Sequence, residues 1–375
     1  MVTPMTRAGS SFNRSIHGAR GLFSLMVFFY HVHHSGLPTY SAFEHGPLYE
    51  FFDVGKFGVE LFFGISGIVI VGTLMRTNSL HDFLVNRLTR ILPALWASIL
   101  VITALAFVVG RHIPGPFEYF LNFLSPPPFI EIYLMNPAAW SLQYELSFYV
   151  VAATIWQVER RGIRLGWHIA LVAATLLIFY PRGLMLLAGV AIALGMTNQR
   201  FMNILTRYPG ILLIAYLALW RAIEVMFGWA DPNGGLDIGA VTPRFLPIAT
   251  WIGAFPLIVI ATLVGTAAMD GLFRERGLIS AFLRLPPLQW LGLVSYSFYI
   301  WHPVIMAIVK AALLKSGIAA GAGVHAQLLF WCVSLPPALI AAWWSQAVIE
   351  TRLTARLRLL LDRRPPPEHA PNMPV

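Results

Sequence analysis

Residues 57–75 read FGVELFFGISGIVIVGTLM. A single ionisable side chain, Glu60, interrupts an otherwise apolar run. As an α-helix the run would extend about 28 Å, close to the hydrocarbon thickness of a bilayer. The rest of the chain agrees with a membrane setting. Of 375 residues, 57% are hydrophobic and 11% are charged, whereas a soluble protein carries about 25% charged residues. Too few charges remain to cover a soluble surface. Disorder needs the opposite composition, low hydrophobicity with high charge. The mean hydropathy of +0.69 fits the same conclusion.

Working outward, apolar runs recur at about 18–36, 57–75, 91–109, 138–158, 166–180, 182–197, 209–227, 247–269, 289–313 and 325–349. They predict an all-α, polytopic transmembrane helical bundle of about ten spans. The pair 166–180 and 182–197 is short and reads as a hairpin or one re-entrant element. The expected organisation is a cytoplasmic N-terminal segment (1–17), a transmembrane unit (18–350) and a basic, Pro-rich cytoplasmic tail (351–375). Arg20 and His31 in the first run, with no small-residue cleavage site after it, argue against a cleavable signal peptide.

The net charge of +9 reads as a topology marker. With the N-terminus in the cytoplasm, every predicted inner loop is basic, and only Lys56, Arg111, Arg182, Arg221, Arg244, Lys310 and Lys315 fall outside. This is the positive-inside pattern, with both termini cytoplasmic. No nucleic-acid-binding signature accompanies the charge, so no nucleic acid partner is expected. The lone Cys332 makes no internal disulfide, and no Cys/His metal pattern occurs. No internal repeat is evident.

Ionisable groups inside membrane helices are costly and therefore functional candidates. Arg20 and His31 are eleven residues apart, about 16 Å along one helix face. Glu60 and Ser66 belong to the run Gly58–Gly67, whose Gly64 and Gly67 allow close helix packing. Arg87 and Arg90 share a face; they serve as interface anchors or as a phosphate clamp, for which the guanidinium fork is suited. Trp140, Ser141 and Glu145 open the fourth run. Glu145 is expected at the depth of His31, where a carboxylate would orient the imidazole. Ser295 and His302 share a face of the ninth run. Arg221 and Glu224 are expected to pair with each other, and His81 and Asp82 to be loop residues.

These motifs, in this order, resemble the membrane-bound acyltransferase 3 family. Arg20 and His31 match its Arg-ten-residues-His pattern, and Gly58–Gly67 its Gly-Val-Asp-Leu-Phe-Phe-Val-Ile-Ser-Gly stretch. Arg87 and Arg90 match its Arg-x-x-Arg pair. Trp140–Glu145 matches Trp-Ser-Leu-x-x-Glu, and Ser295–Pro303 looks like Ser-Tyr-Ser-Leu-Tyr-Leu-Trp-His. Glu60 stands where the family has Asp. After Glu145 the chain has Leu146 and Ser147, where the family often has a second Glu and then Gln.

The resemblance implies a bacterial inner-membrane enzyme that moves an acyl group, usually acetyl, from cytoplasmic acyl-CoA to a hydroxyl of a glycan or related acceptor. It implies no tightly bound cofactor. Arg20, Arg87 and Arg90 would bind the donor's phosphates. His31 would be base or acyl carrier, with Glu145 orienting it. Glu60, Ser66, Trp140, Ser141, Ser295 and His302 would support the site. Lacking the soluble hydrolase-like domain of some members, the chain is expected to act alone or with a separate partner protein. The competing functions are a transporter or flippase that uses the same intramembrane His, Glu and Arg as a proton relay, and an acyl-group sensor without turnover.

Overall fold

The helix α1 (Arg14–His33) starts where Asn13 caps it: the Asn13 side chain accepts from the Ile16 N–H at 2.9 Å. A computed structural model describes residues 13–34, 47–77, 79–160, 171–172, 175, 180–197, 200–227, 248–318 and 323–361. These are overwhelmingly helical, with no strand among them. After α1 come α2 (Pro47–Asp53), a 3₁₀ turn (Val54–Phe57), α3 (Gly58–Arg76), α4 (Leu80–Val109), α5 (Pro116–Leu124) and α6 (Ala139–Glu159). A second 3₁₀ turn (Pro181–Gly183) leads into α7 (Leu184–Ala193). Then follow α8 (Arg200–Leu205), α9 (Pro209–Phe227), α10 (Ile248–Phe273), α11 (Gly277–Leu283), α12 (Pro286–Lys315), α13 (Gly323–Ser345) and, after a π-helical stretch (Gln346–Leu353), α14 (Thr354–Leu361).

Among the described residues, six helical stretches are long and apolar enough to cross a membrane: Tyr49–Arg76, Leu80–Val109, Pro209–Phe227, Ile252–Phe273, Pro286–Lys315 and Leu328–Leu361. The protein is an all-α, multi-pass membrane protein. The other four runs behave differently. α1 and α6 have the length but carry the polar residues of the site. The stretch Pro181–Ala193 is about 20 Å long, short of a full crossing. The run 166–180 lies almost wholly outside the described residues, as do most of 1–17 and the last part of the tail.

α4 begins eleven residues before the apolar run that predicted it. Ser79 caps it, accepting from the Asp82 N–H at 3.1 Å. His81 and Asp82, read as loop, therefore form its first turn, and Arg87 and Arg90 stand well inside a helix. Residues 351–361, read as tail, continue in helix and dock on α4.

Small residues set the closest approach. A Cβ on Gly67 of α3 would strike the Leu186 carbonyl of α7, and one on Gly189 of α7 would strike the Gly64 carbonyl. Backbone lies on backbone there, the packing mode of membrane helices. On the far side of α3, α1 packs along α12. Their common end is tied by Asn13 to the Phe273 carbonyl (2.7 Å), by Gln289 to the Arg14 carbonyl (2.8 Å) and by Ser15 to Ser280 (3.1 Å). Large apolar side chains such as Phe107, Ile214, Leu263 and Trp343 are exposed. Buried polar groups, Glu60, Arg87, Ser141, Ser295 and His302 among them, lie inside. A lipid solvent favours this distribution.

Candidate functional site

Five helices converge on a cleft enclosing about 730 Å³, its mouth included. It is lined by Arg20 of α1, Ser66 of α3, Arg87 and Arg90 of α4, Glu145 and Tyr149 of α6, and Tyr296 and Tyr299 of α12. Ser141 and Ser295 also reach it. Seven of the sequence-predicted residues thus meet in one place: Arg20, Ser66, Arg87, Arg90, Ser141, Glu145 and Ser295.

The three arginines are held differently. Arg87, 6% exposed, is fixed by hydrogen bonds to the Thr73 hydroxyl and to the Val69 carbonyl (3.3 Å). Its guanidinium lies over the rings of Phe83 and Tyr149, at 6.0 and 5.6 Å. Its Nε is buried without a hydrogen-bond partner among the described residues. Arg20 and Arg90, by contrast, make no hydrogen bond or ion pair with any described residue. Each offers five N–H donors in a planar fork. The one carboxylate lining the cleft, Glu145, is held through one oxygen: Ser66 donates to Oε1 at 2.6 Å, and so does the Tyr149 hydroxyl. Tyr149 is outside the motifs quoted from the sequence, and Tyr296 and Tyr299 enter there only as parts of the Ser295–Pro303 motif. The i,i+4 spacing of Glu145 and Tyr149 was the available signal for one of them. Tyr296 donates to the Ile91 carbonyl at 2.6 Å, bracing α12 against the turn after Arg90.

His31 does not meet Glu145; no hydrogen bond or ion pair joins them. Its neighbour is His302, ring centroids 5.3 Å apart and inclined at 35°. The sequence around His302 explains its state. Pro303 has no N–H, so it leaves the Tyr299 carbonyl without its helical donor. The His302 Nδ1 lies 3.1 Å from the Phe298 carbonyl and within reach of that of Tyr299. Nδ1 is thereby the donor, assigned from these acceptors, and Nε2 carries the lone pair. That Nε2 is buried and has no partner among the described residues. Tyr299 connects the two groups: it lines the cleft, its hydroxyl is 2.8 Å from that of Ser141, and its ring centroid is 5.9 Å from that of His302.

Glu60 and Trp140 belong elsewhere. Glu60, 1% exposed, accepts from the Tyr180 hydroxyl at 2.5 Å and pairs with Arg182 at 3.2 Å. It is one edge of an ion-pair network at the C-terminal end of α1. Lys56 bridges Asp53 (2.9 Å) and Glu224 (2.8 Å), and Arg221 holds Glu50 through two nitrogens and Asp53 at 3.2 Å. The expected Arg221–Glu224 pair exists at 3.7 Å, but each side chain has a closer partner. Trp140 packs edge-on against Tyr144 and Tyr180, 6.2 and 5.9 Å between centroids.

The chain is similar to known proteins over most of its length. A family model for an acyltransferase domain, Acyl_transf_3, matches residues 13–346. The exopolysaccharide production protein ExoZ of Rhizobium meliloti is 28% identical over 291 residues, 74% of this chain and 85% of that protein. Nodulation protein 10 of Rhizobium leguminosarum bv. viciae is 30% identical over 137 residues, 31% of this chain and 37% of that one. A Staphylococcus aureus protein named "Putative O-acetyltransferase" is 25% identical over 296 residues, 68% of this chain; the chain spans about half of that relative, 47%. No solved structure matches.

Proposed function

The chain belongs to the acyltransferase 3 family of membrane acyltransferases, and we propose that it carries an acyl group, acetyl in the simplest case, from acyl-CoA to a hydroxyl of a glycan. The observation that carries this reading is the pair of partnerless guanidinium groups, Arg20 and Arg90, beside Arg87 in one cleft. An unpaired cation inside a membrane protein is costly. Phosphate oxygens match the arginine fork and would offset that cost. Coenzyme A brings both a diphosphate and a phosphomonoester. The glycan acceptor follows the name of the relative ExoZ, an exopolysaccharide production protein. In this reading the N-terminal end of α1 faces the cytoplasm of a bacterial cell, and donor enters the cleft from there.

His31 is the general base. It takes the proton of the acceptor hydroxyl as that oxygen attacks the thioester carbonyl carbon. The tetrahedral intermediate collapses by breaking the C–S bond, and the imidazolium returns its proton to the departing sulfur. The products are an ester and free coenzyme A thiol, with no net proton gained or lost. His302, not Glu145, is the ring that holds His31 in place. Glu145 shapes the arginine cleft through Ser66 and Tyr149.

The test is donor kinetics in membranes, followed by release of coenzyme A thiol. Arg20→Ala and Arg90→Ala should each raise KM for acetyl-CoA about tenfold, the worth of a charge-assisted hydrogen bond. An unchanged KM in both variants would reject the donor site.

A further inference from the structure

Arg20, Arg87 and Arg90 fall within the matched residues 13–346; a fourth guanidinium beside them falls beyond. After Ser345 the last long helix widens into the π-helical stretch Gln346–Leu353 and tightens again into α14. Such widening rotates everything that follows, and π-turns recur at functional sites. Here it lays α14 along the first half of α4. Thr354 Oγ1 donates to the Thr89 carbonyl at 2.8 Å. Arg358 Nε donates to the Thr89 hydroxyl and its Nη2 to the Asn86 carbonyl, both at 3.2 Å. Asn86 and Thr89 are the immediate neighbours of Arg87 and Arg90 on the helix.

Arg358 is therefore anchored by two of its nitrogens while Nη1 bonds no described residue, and no described carboxylate pairs with it. It stands within electrostatic reach of Arg90. Two like charges side by side are relieved by an anion between them. The half-buried carboxylate of Glu350, on the π-helical stretch, accepts from the N–H and hydroxyl of Ser297, at 3.1 and 2.5 Å, and stands within electrostatic reach of Arg90 and Arg20, leaving Arg358 unserved. It makes no ion pair with any of the four arginines. Exposure falls in order from Arg358, exposed, through Arg90 and Arg20, half-buried, to Arg87, buried. Arg358 does not itself line the cleft; it docks on the turns of α4 that carry Arg87 and Arg90.

Resting on the donor reading above, we propose that Arg358 binds the phosphomonoester on the ribose of coenzyme A, the phosphate farthest from the thioester, while Arg20, Arg87 and Arg90 take the diphosphate. A phosphomonoester carries nearly two charges at neutral pH and suits the most exposed guanidinium. The donor class is then a free CoA thioester carrying its ribose phosphate. An exposed arginine on a basic helix could also meet a lipid phosphate, and the test separates the two sources.

The full chain is placed in nanodiscs of phosphatidylcholine alone, and binding of CoA and of dephospho-CoA, which lacks the ribose phosphate, is measured by calorimetry. Wild type should bind CoA more tightly than dephospho-CoA. Arg358→Gln should weaken CoA binding about tenfold and leave dephospho-CoA unchanged, erasing the preference. Arg358→Lys should restore part of it, and Arg352→Gln, on the same exposed stretch, should do nothing. Equal loss for both ligands, loss for neither, or an effect seen only when anionic lipid is added would overturn the assignment to Arg358 and leave the donor site standing. A wild type that binds neither ligand would remove the donor reading and this assignment together.

Discussion

At the C-terminal end of α1, Lys56, Arg182 and Arg221 each face at least two carboxylates within 4 Å. At the N-terminal end, Arg20 and Arg90 have no described carboxylate within 4 Å. Both groups of cations sit in a protein whose solvent is lipid, where an uncompensated charge is expensive. The first end has its counter-ions built in, from α2, α3 and α9, and so has no cation left for an anionic ligand. The second end has its one cleft-lining carboxylate, Glu145, tied to Ser66 and Tyr149. What distinguishes a structural ion cluster from a ligand site is thus the balance of partners, since both are rich in charge. His31 lies in the last turn of α1, at the first end, with His302 of α12 as its ring neighbour.

The largest effect separates chemistry from binding. His31→Ala should lower transfer of labelled acetyl from acetyl-CoA by about 10²–10⁴-fold, the usual worth of a general base. Binding of CoA to the cleft should not change, because His31 touches no cleft arginine. A variant that lost CoA binding as well would show that the two sites are one. Next comes stability. Arg182→Leu should leave Glu60 buried without its cation and cost about 3–5 kcal/mol of stability, read by thermal unfolding in nanodiscs. Adding Glu60→Gln should return much of the loss. If Arg182→Leu unfolds no sooner than wild type, the network at this end is not structural. Tyr149→Phe removes one of two donors to Glu145 and should cost about 1 kcal/mol, seen as a several-fold rise in KM for acetyl-CoA with kcat unchanged.

The same contrast explains what could be read from the chain alone. The run Phe57–Met75 became α3 (Gly58–Arg76) almost residue for residue, and 209–227 became α9, because apolar length is a property of one segment. The start of α4 was missed because hydropathy is blind to its first three turns, which carry His81, Asp82, Asn86, Arg87 and Arg90. Ser79 with Asp82 three residues on was the signal. The arginine cleft was foreshadowed by the Arg87–Arg90 spacing. Partner choice was not legible. Lys56 to Glu224, Arg182 to Glu60 and His31 to His302 join segments far apart in the chain, and their pairing depends on how helices rotate and slide against one another. Depth along a helix, estimated from segment ends, put His31 level with Glu145; the helices as packed give each a different neighbour.

The smallest effect has the opposite sign at the two ends, and that makes it the sharpest comparison. Removing a paired cation destabilises; removing an unpaired one should not. Around Arg90, four guanidinium groups (Arg20, Arg87, Arg90 and Arg358) face two carboxylates, Glu145 and Glu350, and neither carboxylate forms an ion pair with any of them. The repulsion among the four is therefore only partly offset in the empty protein. Arg90→Ala deletes one member of that set and no hydrogen bond to a described residue. In the absence of coenzyme A it should raise stability by about 0.5–1 kcal/mol, in keeping with binding sites that trade stability for function. The gain should shrink as salt screens the cleft. With saturating coenzyme A the order should reverse, since wild type gains the binding energy that the variant has lost. Thermal unfolding of both proteins, with and without coenzyme A, measures all of this in one series. An Arg90→Ala protein that melts early without ligand, as Arg182→Leu should, would mean that Arg90 already has its partner inside the fold.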